Sequence, residues 1–406
     1  MSPLRILMVA NHFPPSEAGG SAESVRLEAE ALMDLGHLVT VLTPRWDQDA
    51  AEHEVTTGGV RVLRHKAPVE NRERNFWGWN GWATQMGQAA TSEVANGYYH
   101  VIHAQDWRAF AATLRIPRKY ASIRRVVTMR DVGLLCPIAV CLLSHDAIPK
   151  DCGRKKLAIE CIPQFVNLYG GHMAYLPREI GFLLRRKVLK KLANVSHVVF
   201  PSQALGNIYP RLDTDWSIIP SPVNQVQPVS MATARLLREV LQLHDKPTVL
   251  FVGKPSPGKG WGLFVECARR FAGYGDHSAK FVHVGPQSQP IVGIHQVGPL
   301  PRAGVLAWMR ASTVVMVPPL QIDTLPRTAL EAQAQERHVV GTDRGGLPEI
   351  IAPGTGTAAE PRQIFSALAD VIRYPWPWVI PDARTHVMAK FSQSRIAKML
   401  AKVYVG

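Results

Sequence analysis

No stretch of this chain stays apolar for long enough to cross a bilayer. The longest such run, near VGLLCPIAVCLL (132–143), falls short of the about 20 residues that a spanning helix needs. The opening RILMVA (5–10) is interrupted at once by NHFPP, so it reads as a strand and is too short for the apolar part of an export signal. Cysteine is scarce, and its count of five is odd. That argues against a disulfide scaffold and for a reducing, cytosolic setting. No internal period and no low-complexity tract is visible, which speaks against solenoids and propellers. Neither opening strand is followed by G-x-G-x-x-G, so a Rossmann dehydrogenase is disfavoured, and no Walker loop is present. Acids are also in deficit: 32 Asp and Glu stand against 46 Lys and Arg, a net charge of +14.

The excess of positive charge is local. Between Arg108 and Lys191 there are 17 Lys/Arg and five Asp/Glu, with RKYASIRR (118–125) and LLRRKVLKKL (183–192) dominating. The alternatives are a solvated helix face and a surface for an anionic membrane or a phosphorylated ligand. No nucleic-acid-binding module accompanies the charge, so nucleic acid is not an expected partner.

What is present is alternation. Strand-like runs at RILMVA (5–10), HLVTVLT (37–43), VRVLRH (60–65), HVIHA (100–104), RRVVTM (124–129) and SHVVFPS (196–202) are interspersed with helical patterns such as SVRLEAEALMDLG (24–36). Prolines cluster in IIPSPVNQVQPVS (218–230), and the pattern then restarts with PTVLFVG (247–253), KFVHVG (280–285), STVVMVPP (312–319) and HVVGTD (338–343). The expected fold is α/β, two Rossmann-like domains with parallel sheets facing a central cleft. Ligands of such folds sit at the carboxyl ends of strands, beside helix N-termini.

Two loops could carry chemistry there. In VLFVGKPSPGKGWGLF, Gly253, Gly258 and Gly260 let backbone amides approach an anion, and Lys254 and Lys259 add full charges. An ordinary strand–helix turn is the plainer alternative. In DTLPRTALE (323–331), Asp323 precedes a predicted helix with Pro326 near its start, and Glu331 lies inside it. Both carboxylates could face the cleft and accept neighbouring sugar hydroxyls, or they could be a helix cap and an exposed helix acid.

Taken in order, ILMVANHFPPSEAGG, IIPSPVN, VLFVGKPSPGKG, DTLPRTALEAQAQERHVVGTDRGGLPEI and the closing FSQSRIAKMLAKVY resemble the retaining nucleotide-sugar glycosyltransferases of family 4, which have the glycosyltransferase B fold. The resemblance covers nearly the whole chain. It implies an acceptor domain at 1–222, a donor domain at 223–384 and a terminal helix at 385–406 that crosses back to the first domain. It implies that Lys254 and Lys259 bind the donor diphosphate, with Gly253, Thr324, Leu325 and Pro326 alongside, and that Glu331 holds the ribose. Asp323 would lie by the donor sugar, and Gly19, Gly20 and Asp131 would border acceptor and phosphates. The implied reaction moves a sugar from a nucleotide-diphosphate donor to an acceptor hydroxyl, in cell-surface polysaccharide, glycolipid or glycoconjugate synthesis. It needs no metal and no cofactor. The setting would be cytoplasmic, with the chain peripheral at the inner membrane face.

The chain departs from the family pattern in three places. Asp323 stands where Glu is usual, Lys254 where Arg is common, and Thr128-Met129-Arg130-Asp131 replaces T-x-H-D. Arg130 is expected to bind an anionic group of donor or acceptor, or else to pair with Asp131 or another acid. These departures keep two other functions open, a nucleotide-sugar isomerase or epimerase and a catalytically silent nucleotide- or carbohydrate-binding protein. Cys136, Cys141, Cys152 and Cys161 lack paired zinc spacing and are expected as free thiols, with zinc or disulfides as alternatives. Trp77, Trp79 and Trp82 either pack under a loop or meet a sugar or lipid, and His103 is expected to be buried and bonded to backbone.

Overall fold

The computed structural model describes residues 2–15, 19–47, 50–66, 76–136, 138, 153–170, 185–224, 227–240, 246–273, 279–373 and 379–406, without the side chains of 76–80 and 240. The first domain is built on β1 (Arg5–Val9), β2 (Leu38–Arg45), β3 (His53–Val55), β4 (Arg61–Lys66), β5 (Val101–Ala104), β6 (Arg124–Thr128), β7 (His197–Phe200) and β8 (Trp216–Ile218). They form one sheet in the order β3-β4-β2-β1-β5-β6-β7-β8, parallel except for β3. The second domain uses β9 (Thr248–Val252), β10 (Lys280–Val284), β11 (Ile294–Gly298), β12 (Val314–Val317), β13 (His338–Thr342) and β14 (Gly356–Ala359), all parallel, in the order β11-β10-β9-β12-β13-β14.

Why the sheets are sandwiched follows from the strands. In β1, Ile6, Leu7, Met8 and Val9 are all fully buried. Successive strand residues point to opposite faces, so a continuous apolar run demands cover on both. Ile6 and Met8 pack with Val25 and Leu32 of α1 (Gly20–Asp34), whereas Leu7 and Val9 pack with Met86 of α2 (Phe76–Asn96) and Phe110 of α3 (Trp107–Thr113). The second sheet repeats the arrangement: Leu250 and Val315 face one cluster, Val249 and Met316 the other.

The closing segment, expected as one helix from 385, is two. Pro381–Phe391 packs on the helix Arg327–Ala334 of the second domain, and Gln393–Val405 packs on α1 of the first. The break is at Ser392, which is extended (φ −64°, ψ 145°) and pairs with Val223 in an isolated parallel bridge. The two chain crossings between domains therefore run side by side. Trp82 is buried in the first core, while the side chains of Trp77 and Trp79 lie outside the described residues. Cys136 is buried in a small apolar cluster against which Cys161 packs, and Cys141 and Cys152 also lie outside the described residues. Among the described residues no helix is long and apolar enough to cross a membrane.

His103 is fully buried, but its partners are side chains, not backbone: Tyr404 Oη at 2.7 Å from Nδ1 and Thr128 Oγ1 at 2.8 Å from Nε2. Burial, then the nearby Arg130 charge, lowers its pKa to about 3. The unfolded chain thus binds the extra proton between pH 6.5 and about 3, so this histidine makes the fold lose stability as pH falls through that window. Urea unfolding of wild type and His103→Gln at pH 7.0, 5.5 and 4.5 should show a shallower acid decline for the variant. The difference approaches about 1.4 kcal/mol per pH unit, and parallel declines would exclude it.

Candidate active site

The carboxyl ends of the two sheets face one another across a cavity of about 390 Å³. From the second domain come the loop after β9 and the loop after β12; from the first come the start of α1, Arg130 and Ser221. Of the residues singled out in the sequence, Gly19, Gly20, Arg130, Gly253, Lys254, Lys259, Asp323, Thr324, Leu325 and Pro326 border the cavity. Glu331 and Asp131 are not among the residues that line it.

The lysine loop is held by close backbone approaches. Gly260 has φ 75°, and a Cβ there would lie 1.7 Å from Pro318 O, so only glycine fits. The His283 ring donates from Nε2 to Gly253 O at 2.8 Å. Leu320 and Gln321 both donate their amides to Gly258 O, at 3.0 and 3.1 Å, which binds the β12 loop to the lysine loop. The result brings Lys259 Nζ to 2.5 Å from Asp323 Oδ2. That carboxylate holds the Lys259 ammonium above its usual pKa range, so it stays charged. Lys254 lines the same cavity with no acid partner among the described residues. The helix Trp261–Gly273 begins directly behind this loop and adds the partial positive charge of its first amides.

Asp323 is positioned from behind by the Gly-Gly turn of TDRGGLPEII. Gly346 donates its amide to Asp323 O at 2.9 Å, and a Cβ on Gly345 (φ 68°) would come within 2.0 Å of that oxygen. The Thr324 hydroxyl donates to Arg130 O at 2.9 Å, a direct tie between the domains.

Arg130 pairs with neither Asp131 nor open cavity. Its Nη2 donates to both carboxylate oxygens of Glu28, at 2.8 and 2.9 Å. Nη1 reaches Ser221 Oγ at 3.1 Å, and Nε reaches Gln105 O at 2.9 Å. The pair is buried, with side chains 8% and 5% exposed. Of the two expectations for Arg130, pairing with an acid other than Asp131 is the one the structure shows: its partner is Glu28. Asp131 is turned to a different task. Its Oδ1 accepts the Gly133 amide at 2.6 Å, its carbonyl accepts the Tyr209 hydroxyl at 2.9 Å, and burial pushes its carboxyl above the ordinary range.

Glu331 sits one helical turn inside Arg327–Ala334, where it meets Arg327 at 3.1 Å and Arg302 at 3.2 Å. Arg327 also donates to Ser24 Oγ at 3.2 Å and Pro222 O at 3.0 Å, and its stem fills the space that a Cβ on Gly20 would need. Arg302 reaches Glu23 of α1 at 3.4 Å. Glu23, Glu28, Arg302 and Arg327 were not legible as site residues. Only Arg327 left a signal, since a basic residue four positions before Glu331 on a helix is placed to pair with it. Chemically, the cavity is a cationic pocket with one short-range carboxylate, suited to a ligand that carries concentrated negative charge next to hydroxyl groups.

Residues 246–374 match the family described as Glycosyl transferases group 1, and residues 19–160 match the Glycosyl transferase 4-like domain. A D-inositol 3-phosphate glycosyltransferase of Kribbella flavida is 24% identical over 91% of this chain and 86% of its own length. Among solved structures, sucrose-phosphate synthase from Thermosynechococcus elongatus superposes with a TM-score of 0.74 at 21% identity, covering 99% of this chain and 98% of the other. Anabaena HepE in complex with UDP-glucose superposes with a TM-score of 0.68 at 14% identity, covering 99% of each chain.

Proposed function

Because this chain belongs to the family 4 glycosyltransferases, a retaining family, we propose that its cavity takes a uridine-diphosphate sugar and delivers the sugar to an acceptor hydroxyl in polysaccharide, glycolipid or glycoconjugate synthesis. The observation that carries the reading is the convergence of Lys254, Lys259 and Asp323 at the strand ends facing Gly19 and Gly20. Breaking a glycosyl–phosphate bond builds positive charge on the sugar and negative charge on the departing diphosphate. Lys254, Lys259 and the amides at the start of Trp261–Gly273 stabilise the diphosphate, and with these cations no metal is called for. Asp323 stands by the sugar. Glu331 takes the ribose hydroxyls, and Arg302 and Arg327 orient it. The acceptor approaches from the first domain, 1–222, while 223–384 holds the donor. Attack comes on the face the leaving group departs from: the acceptor oxygen–carbon bond forms as the carbon–phosphate oxygen bond breaks, and the leaving oxygen receives the acceptor's proton. The exposed Arg154 and Lys155 fit a chain working at an anionic membrane face.

The test is calorimetric titration with UDP, GDP and ADP, followed by turnover of labelled UDP-sugars with acceptor mixtures. UDP should bind most tightly. Glu331→Gln should weaken that binding about 10-fold, the loss of one charged hydrogen-bond acceptor. Equal affinity in the variant would remove Glu331 from the donor site.

A further inference from the structure

One tie on the lysine loop comes from an unexpected quarter. The helix Ile162–Tyr169 lies in sequence between β6 and β7, and so belongs to the first domain. It rests on a small core of its own, in which Leu157 and Ile162 are buried against Cys136 and Ile138. Its last residue nevertheless reaches the second domain. The Tyr169 hydroxyl accepts the backbone N–H of Gly258 at 2.8 Å. Phe165 stacks on the Tyr169 ring with centroids 4.5 Å apart and planes 17° apart, which fixes where the hydroxyl points. Gly258 is confined from both sides, since a Cβ there would lie 2.5 Å from the Tyr169 oxygen and 2.3 Å from Gln321 Oε1.

Gly258 is the node of the donor loops. Its N–H goes to Tyr169, and its carbonyl takes the amides of Leu320 and Gln321, which lead two residues later to Asp323. The next residue is Lys259, whose ammonium meets that same Asp323. The lysine and the aspartate of the cavity therefore both hang from one glycine, and the first domain supplies one of its fastenings. Without the phenol oxygen, the Gly258 amide turns to water and the loop gains freedom in the place where Lys259 must meet a diphosphate.

We propose that Tyr169 is a positioning residue for the donor: its hydroxyl sets the lysine loop so that a nucleoside diphosphate is gripped only when the first domain has closed on the second. The inference rests on the function proposed above. It assigns to a segment of the acceptor half a role in donor affinity, acting through Gly258 and Lys259 and not by touching the sugar.

The experiment titrates wild type, Tyr169→Phe and Leu168→Ala with UDP and with UMP, and measures KM and kcat with the UDP-sugar. Tyr169→Phe keeps the ring and its stacking and removes only the oxygen. It should weaken UDP binding and raise the donor KM about 10-fold, the scale of one lost hydrogen bond in a partly buried site. Its UMP affinity should stay within about twofold and its kcat within about threefold, because the nucleoside contacts and the transition-state charges are retained. Leu168→Ala, an exposed neighbour on the same helix, should behave as wild type. If Tyr169→Phe binds UDP as wild type does, or loses UDP and UMP alike, or if Leu168→Ala loses as much, the assignment of Tyr169 fails while the donor site stands. If wild type itself binds none of the nucleoside diphosphates, both readings fall together.

Discussion

Replacing Lys259 by alanine is expected to lower kcat/KM about 100- to 1,000-fold, the cost of roughly 2.7–4 kcal/mol that accompanies loss of one preorganised charge contact at a developing anion. Two features place this variant above the others in effect. Lys259 is the cation nearest Asp323, at 2.5 Å, so its removal deletes a positive charge and also leaves a carboxylate uncompensated beside the diphosphate. The side chain is also 47% exposed, so the fold loses little when it is cut back. A thermal transition within a degree or two of wild type should accompany the kinetic loss. Steady-state transfer from the UDP-sugar, at saturating acceptor, reads the effect. A drop of less than fivefold would mean that the leaving group is stabilised by other groups, and Lys254 would be the next to vary.

The second large effect is on stability. Glu28→Ala should cost about 3–5 kcal/mol of unfolding free energy, because it strands a guanidinium in the interior without its counter-charge. Arg130 has no easy escape, since its side chain is 8% exposed and its other donors are committed to Gln105 and Ser221. The double variant Glu28→Ala with Arg130→Met should regain more than half of the loss, since removing both charges removes the desolvation problem together with the pair. Denaturant midpoints at neutral pH, compared across wild type, single and double variants, decide it. A single variant within about 1 kcal/mol of wild type would show that water reaches Arg130 and that the pair is not buried in solution. The interdomain bond from Thr324 to Arg130 O ties this stability to the cleft, so the single variant should also bind donor less tightly.

Much of the fold could be read directly. The internal strands β1, β2, β5, β6, β9, β12 and β13 are runs of apolar residues buried on both faces, and such runs stand out against the helical patterns between them. The strands that escaped are those at or near the edges. His-Glu-Val of β3 is fully exposed, Trp-Ser-Ile of β8 is three residues long, and Gly-Thr-Ala-Ala of β14 lacks large side chains altogether. A strand with one partner has little to bury, so its composition says little. The single closing helix was an implication of the resemblance; the polar Ser392–Arg395 interrupt the apolar spacing, and the bridge from Ser392 to Val223 marks where the chain turns from one domain to the other.

The site divides along the same line. Lys254, Lys259 and Asp323 lie in loops after strands, which open at the carboxyl edge, but alone these loops read equally as an ordinary turn and a helix cap, and the family resemblance is what singles them out. Which of the charges is spent and which is free could not be read, because the partners lie far off in sequence: Glu28 is 102 positions from Arg130, Asp323 is 64 from Lys259, and Tyr169 is 89 from Gly258. The order of apolar runs and glycine-rich turns was enough to determine two wound sheets and a cleft, since burial and backbone sterics act on neighbours along the chain. Only the folded chain decided that Arg130 is neutralised, that Glu331 is gripped by two arginines and that a tyrosine from the first domain holds the lysine loop, since electrostatic pairing depends on distance in space.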